Sequence, residues 1–296
     1  MDKGLLVVNA FLRTNKFDEL YTFLRDAAES EGMQLEVMTN AELVCALETD
    51  FQPEQYAFVV FWDKDVLLAQ RLEQLGMRLF NPARGIALCD DKSRTWLALK
   101  DEGIPMPRTI PAPMTFANIG YPTLDFAAQI GDQLGYPVVV KECCGSFGQQ
   151  VYLCHDREQL LSKVNELAGV PILFQQAILY QKPVLETMGR DVRINVVGGQ
   201  VVASILRKST AGDFRSNLTL GGAMEPYTPT EAEAALAIRA TQLLGLDFAG
   251  VDVLFGKDGP ILCEVNSNAH FKTTLACTGV NMAEAIMHHI REEMEK

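Results

Sequence analysis

Three residues near the C-terminus have the types and the spacing of a divalent-metal site. Glu264 and Asn266 lie two apart in the apolar segment ILCEVN, so on a β-strand both side chains point to one face. A three-residue loop over 257–259, with Gly259 left-handed, would place Asp252 directly opposite Glu264. Carboxylate and amide oxygens suit Mg²⁺ or Mn²⁺. The pattern favours a metal site, and the alternative is a buried carboxylate that pairs with Lys or Arg.

A second candidate site follows a run of three valines in the segment VVVKECCGSFGQQVYL. The predicted strand ends on Lys141, and the loop after it contains Gly145, Ser146 and Gly148. Small residues let backbone N–H groups approach phosphate oxygens, and a buried ammonium group needs an anion. The segment therefore indicates a phosphate-binding loop, although GSFG alone is equally typical of a plain turn.

Basic residues in two further segments could also bind phosphate. Arg193 lies in GRDVR, and Arg207 and Lys208 precede GDFRSN. Arginine binds phosphate through two parallel hydrogen bonds. The alternative is a hairpin edge that faces solvent. Lys92, in CDDKSRT, is a lone lysine on a predicted helix and by itself indicates a surface residue.

These segments require a scaffold of alternating strands and helices. In the first part of the chain, apolar runs at Leu5–Ala10 and Ala57–Trp62 predict buried strands. Amphipathic patterns at Phe17–Ser30 and Lys64–Leu75 predict helices. This alternation is typical of a parallel α/β sheet. The GxGxxG fingerprint is absent from the sequence, so no dinucleotide site is predicted.

Hairpins and helices are predicted over the remainder of the chain. Asp90–Glu102 reads as one helix, and prolines then indicate an extended connection. Tyr136–Cys154 predicts two strands around a turn, and Asp191–Arg207 a hairpin with Gly198-Gly199 as a type I′ turn. Further predicted elements are the strand Pro171–Ala177, the hairpin strands Ala249–Phe255 and Pro260–Val265, and the helices Arg157–Leu167, Glu231–Leu244 and Met282–Met294.

Composition narrows the class of protein. With 296 residues the chain is long enough for two or three domains. A net charge of −12 argues against nucleic acid as the main partner. No apolar run is long enough for a membrane span, so no membrane partner is expected. The seven cysteines form no CxxC motif, which predicts reduced thiols and a cytoplasmic location and makes a zinc site improbable.

Taken in order, several segments resemble the ATP-grasp superfamily, and within it the RimK-like branch of ribosomal-protein glutamate ligases. The segments are DDKSRTWLALKDEGIPMPRT, PVVVKECCGSFGQQVYL, GRDVRINVVGGQVVAS, GDFRSNLTLGG, LGLDFAGVDVLF and GPILCEVNS. The resemblance implies an α/β protein with the ATP-grasp fold. It implies an N-terminal parallel α/β domain over 1–90, a small central α+β lid over 91–178, and a C-terminal antiparallel-sheet domain over 179–296.

The resemblance also implies roles for individual residues. The residues expected to contact ATP are Lys92, Lys141, Gly145, Ser146, Gly148, Gln176, Ala177, Asp191, Arg215, Ser216 and Asn217. Within this set, Gln176-Ala177 belongs to the adenine-reading hinge and Asp191 to the ribose. Arg193, Arg215 and Asn217 are expected along the phosphates and the acyl intermediate as catalytic groups. Asp252, Glu264 and Asn266 are expected to hold two Mg²⁺ or Mn²⁺ ions.

The implied reaction is an ATP-dependent ligation of a carboxylate to an amine through an acyl phosphate. The implied partners are ATP, a carboxylate substrate and an amine that is an amino acid, a peptide or a protein; a homo-oligomer is compatible. Two alternatives stay open, a phosphotransferase acting on a hydroxyl and a nucleotide-binding module without turnover.

The sequence departs from the family pattern in three places. The hinge has Gln176-Ala177 where Glu and an aromatic residue are usual, and residues 179–186 are an extra stretch after it. After EVNS the chain continues Asn268–Thr273 in place of the usual Ser-Pro-Gly-Leu-Glu-Gly. His270 and Lys272 in this last segment are predicted to contact the substrate, and a solvated loop is the alternative.

Overall fold

The computed structural model describes residues 2–12, 15–145, 150–178, 189–209 and 223–296. Within these ranges the chain forms three β-sheets, one parallel and two antiparallel. None of the helices in the described ranges is long and apolar enough to cross a lipid bilayer.

The N-terminal sheet is parallel and has the strand order β2-β1-β3-β4. Residues 5–8 of β1 and all of β3 are buried, as expected when helices cover both faces of a parallel sheet. This confirms the predicted parallel α/β arrangement. The elements are β1 (Asp2–Val8), α1 (Asn15–Ser30), β2 (Met33–Thr39), α2 (Asn40–Ala46), β3 (Phe58–Trp62), α3 (Val66–Gln74), β4 (Leu79–Phe80) and α4 (Ala83–Asp90).

The prediction of a single helix over Asp90–Glu102 is wrong, because the helical conformation is interrupted at Asp91. Asp91 has extended dihedral angles and separates α4 from α5 (Lys92–Leu99). Its carboxylate accepts hydrogen bonds from the backbone N–H groups of Ser93 and Arg94, at 2.8 and 3.2 Å, and so caps α5. The Lys92 backbone N–H donates to the Cys143 carbonyl at 2.9 Å. The start of α5 is therefore attached to the central lid.

The central lid is an antiparallel sheet with the strand order β5-β8-β6-β7. Two helices cover one face of it, and they share a separate hydrophobic core with residues such as Val138 and Phe174. The predicted strand pair over Tyr136–Cys154 is confirmed as β6 and β7. The elements are β5 (Thr109–Pro111), α6 (Asp125–Leu134), β6 (Val138–Glu142), β7 (Val151–Cys154), α7 (Arg157–Glu166) and β8 (Ile172–Gln176).

The C-terminal sheet is antiparallel and has the strand order β11-β10-β9-β12-β13. Val197 pairs with Gln200 across Gly198 and Gly199, whose φ angles are 56° and 74°, so the predicted two-residue turn is confirmed. The elements are β9 (Arg190–Val197), β10 (Gln200–Lys208), β11 (Ala223–Pro226), α8 (Glu231–Leu243), β12 (Phe248–Phe255), β13 (Pro260–Asn266), α9 (Lys272–Thr278) and α10 (Met282–Met294).

The hairpin of β12 and β13 confirms one prediction and corrects another. Phe255 pairs with Pro260, so the loop has four residues, 256–259, and the predicted three-residue loop is wrong. A β-bulge at Cys263 then shifts the register by one residue, because Val253 pairs with Leu262 while Asp252 pairs with Glu264. The extra loop residue and the bulge compensate for each other, and the predicted pairing of Asp252 with Glu264 is confirmed.

The parallel sheet and the C-terminal sheet share one hydrophobic core. It contains Leu6 and Phe58 from the first sheet, Phe248 from the second, and Phe271 and Ile286 from the segment and the helix α10 that follow the second sheet. At the same boundary the fully buried side chain of Asn81 makes four hydrogen bonds to backbone groups: to the carbonyls of Phe248 and Ser267, and from the N–H groups of Asp247 and Phe248. These contacts fix the start of β12 and the end of β13 against the N-terminal sheet.

Candidate active site

One face of the C-terminal sheet is polar and the other is apolar. On the apolar face, Val192, Ile194 and Val251 pack in the same core as Leu236 and Ala240 of α8. Side chains alternate along a strand, so the residues between these project from the opposite face. The polar face carries Asp191, Arg193 and Asn195 on β9, Arg207 on β10, Asp252 on β12, and Glu264 and Asn266 on β13. The fold therefore brings five of the predicted site residues together on one sheet face, namely Asp191, Arg193, Asp252, Glu264 and Asn266.

Four of these residues form a network of ion pairs, which we call the charged cluster: Asp191, Arg193, Arg207 and Asp252. Arg207 donates two hydrogen bonds of 2.6 Å to Asp191 and approaches Asp252 Oδ2 at 2.9 Å. Arg193 donates from Nε to Asp252 Oδ1 and from Nη2 to Oδ2, the latter at 2.8 Å. Two guanidinium groups thus face two carboxylates, and the charges within the cluster cancel.

Electrostatics keep the charged cluster ionised. Burial by itself would raise the pKa of the Asp252 carboxyl, but the guanidinium groups of Arg193 and Arg207 outweigh it and lower that pKa below its ordinary value. Burial opposes the charge of Arg207, and the carboxylates of Asp252 and Asp191 overcome this and raise its pKa. The cluster is therefore a stable set of paired charges.

The three predicted metal ligands differ in their surroundings. Both oxygens of Asp252 accept hydrogen bonds from arginine, which is the alternative that the sequence left open. Glu264 Oε1 lies 3.9 Å from Lys92 Nζ, and Asn266 uses its amide nitrogen in a 3.4 Å hydrogen bond to the Gly250 carbonyl. The described ranges contain no group of three or more His, Cys, Asp and Glu side chains placed to hold a metal.

The oxygen atoms of Glu264 and Asn266 nevertheless fit Mg²⁺, which takes few protein ligands when phosphate oxygens complete its shell. Asp252 can join them only if its arginines change partners. The assignment of these residues to metal stays a prediction.

The two predicted phosphate-binding lysines converge on this face from the lid side. Lys141 on β6 is 9% exposed and has no ion-pair partner among the residues that the structure describes. Lys92 Nζ donates to the Gly145 carbonyl at 3.3 Å. Burial raises the pKa of the Cys263 thiol on β13 to about 11, and the Lys141 ammonium opposes that rise. The lid lysine therefore acts electrostatically on the strand that carries Glu264.

Of the other residues predicted to contact the nucleotide, the structure describes only some. Gln176 ends β8, and its backbone N–H donates to the Arg108 carbonyl at 2.8 Å, so this group is used within the lid sheet. Ala177 follows directly. Ser146, Gly148, Arg215, Ser216 and Asn217, and the extra stretch over 179–186, lie outside the described residues. The roles predicted for them stay predictions.

His270 and Lys272 lie where the end of β13 meets α1. Lys272 Nζ forms an ion pair with Glu19, and the His270 ring packs edge-on against Phe17 with 5.5 Å between the ring centroids. A substrate carboxylate at Lys272 would therefore compete with Glu19. Contact of His270 and Lys272 with a substrate stays a prediction.

The sequence analysis missed Asp63, which lies beside this segment. Its carboxylate is buried and accepts hydrogen bonds from Asn9 Nδ2, at 3.1 and 3.3 Å, and from the Lys64 N–H, at 2.7 Å. Burial raises its pKa, and the charges of Asp65 and Asp90 add to the rise. An acidic residue directly after a buried parallel strand was the available signal, because such strand ends commonly face ligands.

Comparison with known proteins identifies the family of the chain. The family model described as the RimK-like ATP-grasp domain matches residues 89–290. N-acetylaspartylglutamate synthase A of Homo sapiens is 39% identical over 211 residues, which are 71% of this chain and 51% of the relative, so the chain spans about half of that protein. A probable alpha-L-glutamate ligase of Halorhodospira halophila is 32% identical over 283 residues, which are 90% of this chain and 89% of the relative.

Solved structures share the fold over the whole chain. The ATP-grasp ligase PsnB, solved with a variant of its minimal precursor, Mg and ADP, superposes with a TM-score of 0.68 at 16% identity, covering 100% of this chain and 99% of that chain. This confirms the ATP-grasp fold that the sequence motifs indicated. Because the family model covers more than half of the chain and a relative of similar length exceeds 30% identity, this protein belongs to the RimK-like ATP-grasp family.

Proposed function

We propose that this protein is an ATP-dependent ligase that joins a carboxylate to an amine through an acyl phosphate. The observation that carries the proposal is Lys141, a buried ammonium group without an ion-pair partner among the described residues, on the lid side of the polar sheet face. A buried cation requires an anion, and a nucleotide phosphate supplies one. Family membership supports the same reading.

In the first step, an oxygen of the substrate carboxylate attacks the γ-phosphorus of ATP, and the bond to the β-phosphate oxygen breaks to release ADP. Lys141 and Lys92 neutralise charge on the phosphates from the lid side. Glu264 and Asn266 would hold Mg²⁺ or Mn²⁺, with Asp252 joining when two ions are bound. A bound metal supplies further charge neutralisation at the phosphates.

Metal and nucleotide binding require an exchange of partners on the sheet face. The guanidinium groups of Arg193 and Arg207 pair with the Asp252 carboxylate, and the Lys92 ammonium lies near the Glu264 carboxylate. Phosphate offers the arginines an anion that replaces Asp252, and a metal offers Asp252 and Glu264 a cation that replaces the basic side chains. The network is thus arranged so that ATP and metal bind together.

In the second step, the amine nitrogen attacks the carbonyl carbon of the acyl phosphate. The bond from carbon to the phosphate oxygen breaks, phosphate leaves and the nitrogen loses a proton. We propose glutamate as the amine, because the names of both relatives include glutamate, as part of the product in one and in the name of the ligase in the other. The acid is a small molecule or the C-terminus of a peptide.

Hydroxylamine trapping tests the proposal. Wild-type protein with ATP, Mg²⁺ and a panel of acids, including N-acetyl-L-aspartate and peptides ending in glutamate, should form a hydroxamate when no amine is added. Glu264→Gln should form almost none, and Asp258→Asn, which changes an exposed carboxylate in the neighbouring loop, should match the wild type. ADP release with phosphorylation of a hydroxyl would support a phosphotransferase. Absence of ADP with every acid would support a binding module.

A further inference from the structure

A second group of buried oxygen atoms lies where the N-terminal sheet meets the end of β13. We call it the acceptor corner, and it consists of Asn9, Asp63, Ser267 and Asn268. Asn9 Nδ2 donates to both carboxylate oxygens of Asp63. Asn268 Nδ2 donates to the Asp63 backbone carbonyl at 2.6 Å. These hydrogen bonds join Asn9, Asp63 and Asn268, which follow the ends of β1, β3 and β13, and Ser267 precedes Asn268 in the chain.

Two acceptors of the corner lack a hydrogen-bond partner among the described residues, and its carboxylate is hydrogen-bonded but lacks a cation there. Ser267 Oγ and Asn268 Oδ1 are inaccessible to solvent and have no hydrogen-bond partner among the described residues. Asp63 is 7% exposed, and within the described part of the chain no cationic side chain pairs with its carboxylate. Buried polar groups are costly when they are unpaired. The corner therefore has acceptors and negative charge in excess.

Among the described residues, the surroundings do not supply the missing positive charge. Lys64 adjoins Asp63 in the chain, but its ammonium pairs with Asp90 at 2.9 Å. The carboxylates of Asp65 and Asp90 increase the negative potential at Asp63. A divalent metal is a poor match, because such ions ordinarily take several carboxylate or carbonyl ligands and Asp63 is the only carboxylate in the corner.

The corner adjoins the proposed reaction site. Asn268 follows Asn266 by two residues, so no more than about 7 Å of chain separates the corner from the polar sheet face. Asn9 and Asp63 directly follow β1 and β3, at the carboxyl edge of the parallel sheet, where α/β proteins commonly bind ligands. A ligand group in the corner would therefore sit beside the acyl phosphate.

We propose that the acceptor corner binds the ammonium group of the amine co-substrate, with Asp63 as its ion-pair partner. An ammonium group donates N–H hydrogen bonds and carries positive charge, and the corner offers the Asp63 carboxylate together with Asn268 Oδ1, whose side chain is bonded to the Asp63 backbone. Ser267 Oγ, on the preceding residue, is a further buried acceptor. Amino acids carry a protonated amino group near neutral pH. This inference rests on the proposed ligase function and adds the place where the amine enters.

Steady-state kinetics of Asp63→Asn test the inference. The assay uses L-glutamate or, if another amino acid supports faster phosphate release by the wild type, that amino acid. The KM for the amine should rise about tenfold to a hundredfold, as expected for the loss of a buried charge partner. The KM for ATP and the rate of hydroxamate formation should stay near wild type, since hydroxylamine is uncharged and needs no ammonium site.

Asp65→Asn is the matched control. It removes the same charge two residues away, and Asn retains the capping of α3 that Asp65 provides through its 3.0 Å hydrogen bond from the Leu68 N–H. Its KM for the amine should stay within about twofold of wild type, because a half-exposed charge is largely screened. Equal increases of KM in both variants would overturn the inference, because they would show a general field effect.

A measurement on the wild type covers the case in which Asp63→Asn does not fold. Calorimetric titration of the wild type, with ADP and Mg²⁺ present, compares L-glutamate with L-2-hydroxyglutarate, in which a hydroxyl replaces the ammonium group. L-glutamate should bind at least tenfold more tightly. Equal affinity would exclude an ammonium site. A wild type that forms no hydroxamate contradicts the proposed function itself, whereas hydroxamate formation with an unchanged amine KM in Asp63→Asn contradicts only this inference.

Discussion

The charged cluster and the acceptor corner each contain a buried aspartate, but the two aspartates have opposite surroundings. Asp252 is 5% exposed and accepts hydrogen bonds from two arginines, which lower its pKa. Asp63 is 7% exposed and accepts hydrogen bonds from an amide and a backbone N–H, and burial raises its pKa. Burial alone therefore does not assign a role. We infer that a buried charge with a counter-charge supports the fold until a ligand exchanges its partners, whereas a buried charge without a counter-charge among the described residues indicates a ligand site.

The largest expected effects are losses of turnover at Asp252 and Glu264, which lie on the same sheet face. The two residues should differ in their effect on stability. We expect Asp252→Asn and Glu264→Gln each to lower turnover by about 10²–10³-fold, since each removes a group that organises charge at the phosphates. Asp252→Asn should also lower the free energy of unfolding by about 3–5 kcal/mol, because it leaves buried arginines without a partner. Glu264 is half-buried, so its variant should change stability by less than about 1 kcal/mol. Steady-state assays and urea unfolding give both quantities.

A variant at Asp258 provides the control for both measurements. This carboxylate lies exposed in the loop that joins β12 to β13, so Asp258→Asn should change neither turnover nor stability appreciably. If both Asp252→Asn and Glu264→Gln keep turnover near the wild-type level at saturating Mg²⁺, the polar face is not the site of the reaction.

The next effect concerns Lys141, a buried cation without a described partner. Lys141→Ala should weaken ATP binding by about tenfold to a hundredfold, the value expected for a charge-assisted hydrogen bond. AMP binding should change much less, because the proposed contact of Lys141 is with the outer phosphates, which AMP lacks. Calorimetric titration of both nucleotides measures the difference, with Lys257→Ala in the exposed loop as the control. Equal weakening of ATP and AMP would place Lys141 away from those phosphates.

The smallest expected effect is the stability of Asp63→Asn. Removing an unpaired buried carboxylate should leave the free energy of unfolding unchanged or raise it by about 1 kcal/mol, in contrast to Asp252→Asn. A loss comparable with that of Asp252→Asn would show that Asp63 stabilises the fold, and the contrast between the two aspartates would disappear.

The dependence of stability on pH should also have opposite signs at the two aspartates. The pKa of Asp63 is raised by folding, so its destabilising effect is full above the folded pKa and declines as the pH falls through that value towards the unfolded pKa of about 3.9. The pKa of Asp252 is lowered, so its stabilising effect is full above the unfolded pKa and is lost only as the pH falls through the lower folded value. Unfolding of each Asn variant and of the wild type between pH 3 and pH 7 measures both trends.

Local patterns in the sequence predicted much of the fold. The helix Met282–Met294 and the turn at Gly198-Gly199 follow from apolar periodicity and from backbone freedom, which are properties of short segments. The pairing of Asp252 with Glu264 was correct, but the loop length was not. The bulge at Cys263 depends on strand partners that are distant in the sequence, and no local rule specifies it.

The contacts between the residues of the candidate site were less predictable than the identity of those residues. Arg207 and Arg193 reach Asp252 because β9 pairs with both β10 and β12, and that register joins segments about sixty residues apart. Asp63 was missed because one aspartate after a strand is common. Its significance depends on its burial and on the lack of a cationic partner among the described residues, and only packing determines both. The break at Asp91 likewise depends on contact with the lid.

The buried side chain of Asn81 has a consequence for cooperativity. Its four hydrogen bonds, together with the core that joins Phe58 to Phe248 and Ile286, link the first eighty residues to the last hundred. These two parts should therefore melt as a single calorimetric unit, although the central lid separates them in the chain. The lid has its own core and should melt independently. A fragment of the N-terminal residues alone would expose half of a shared core, and we expect it not to fold.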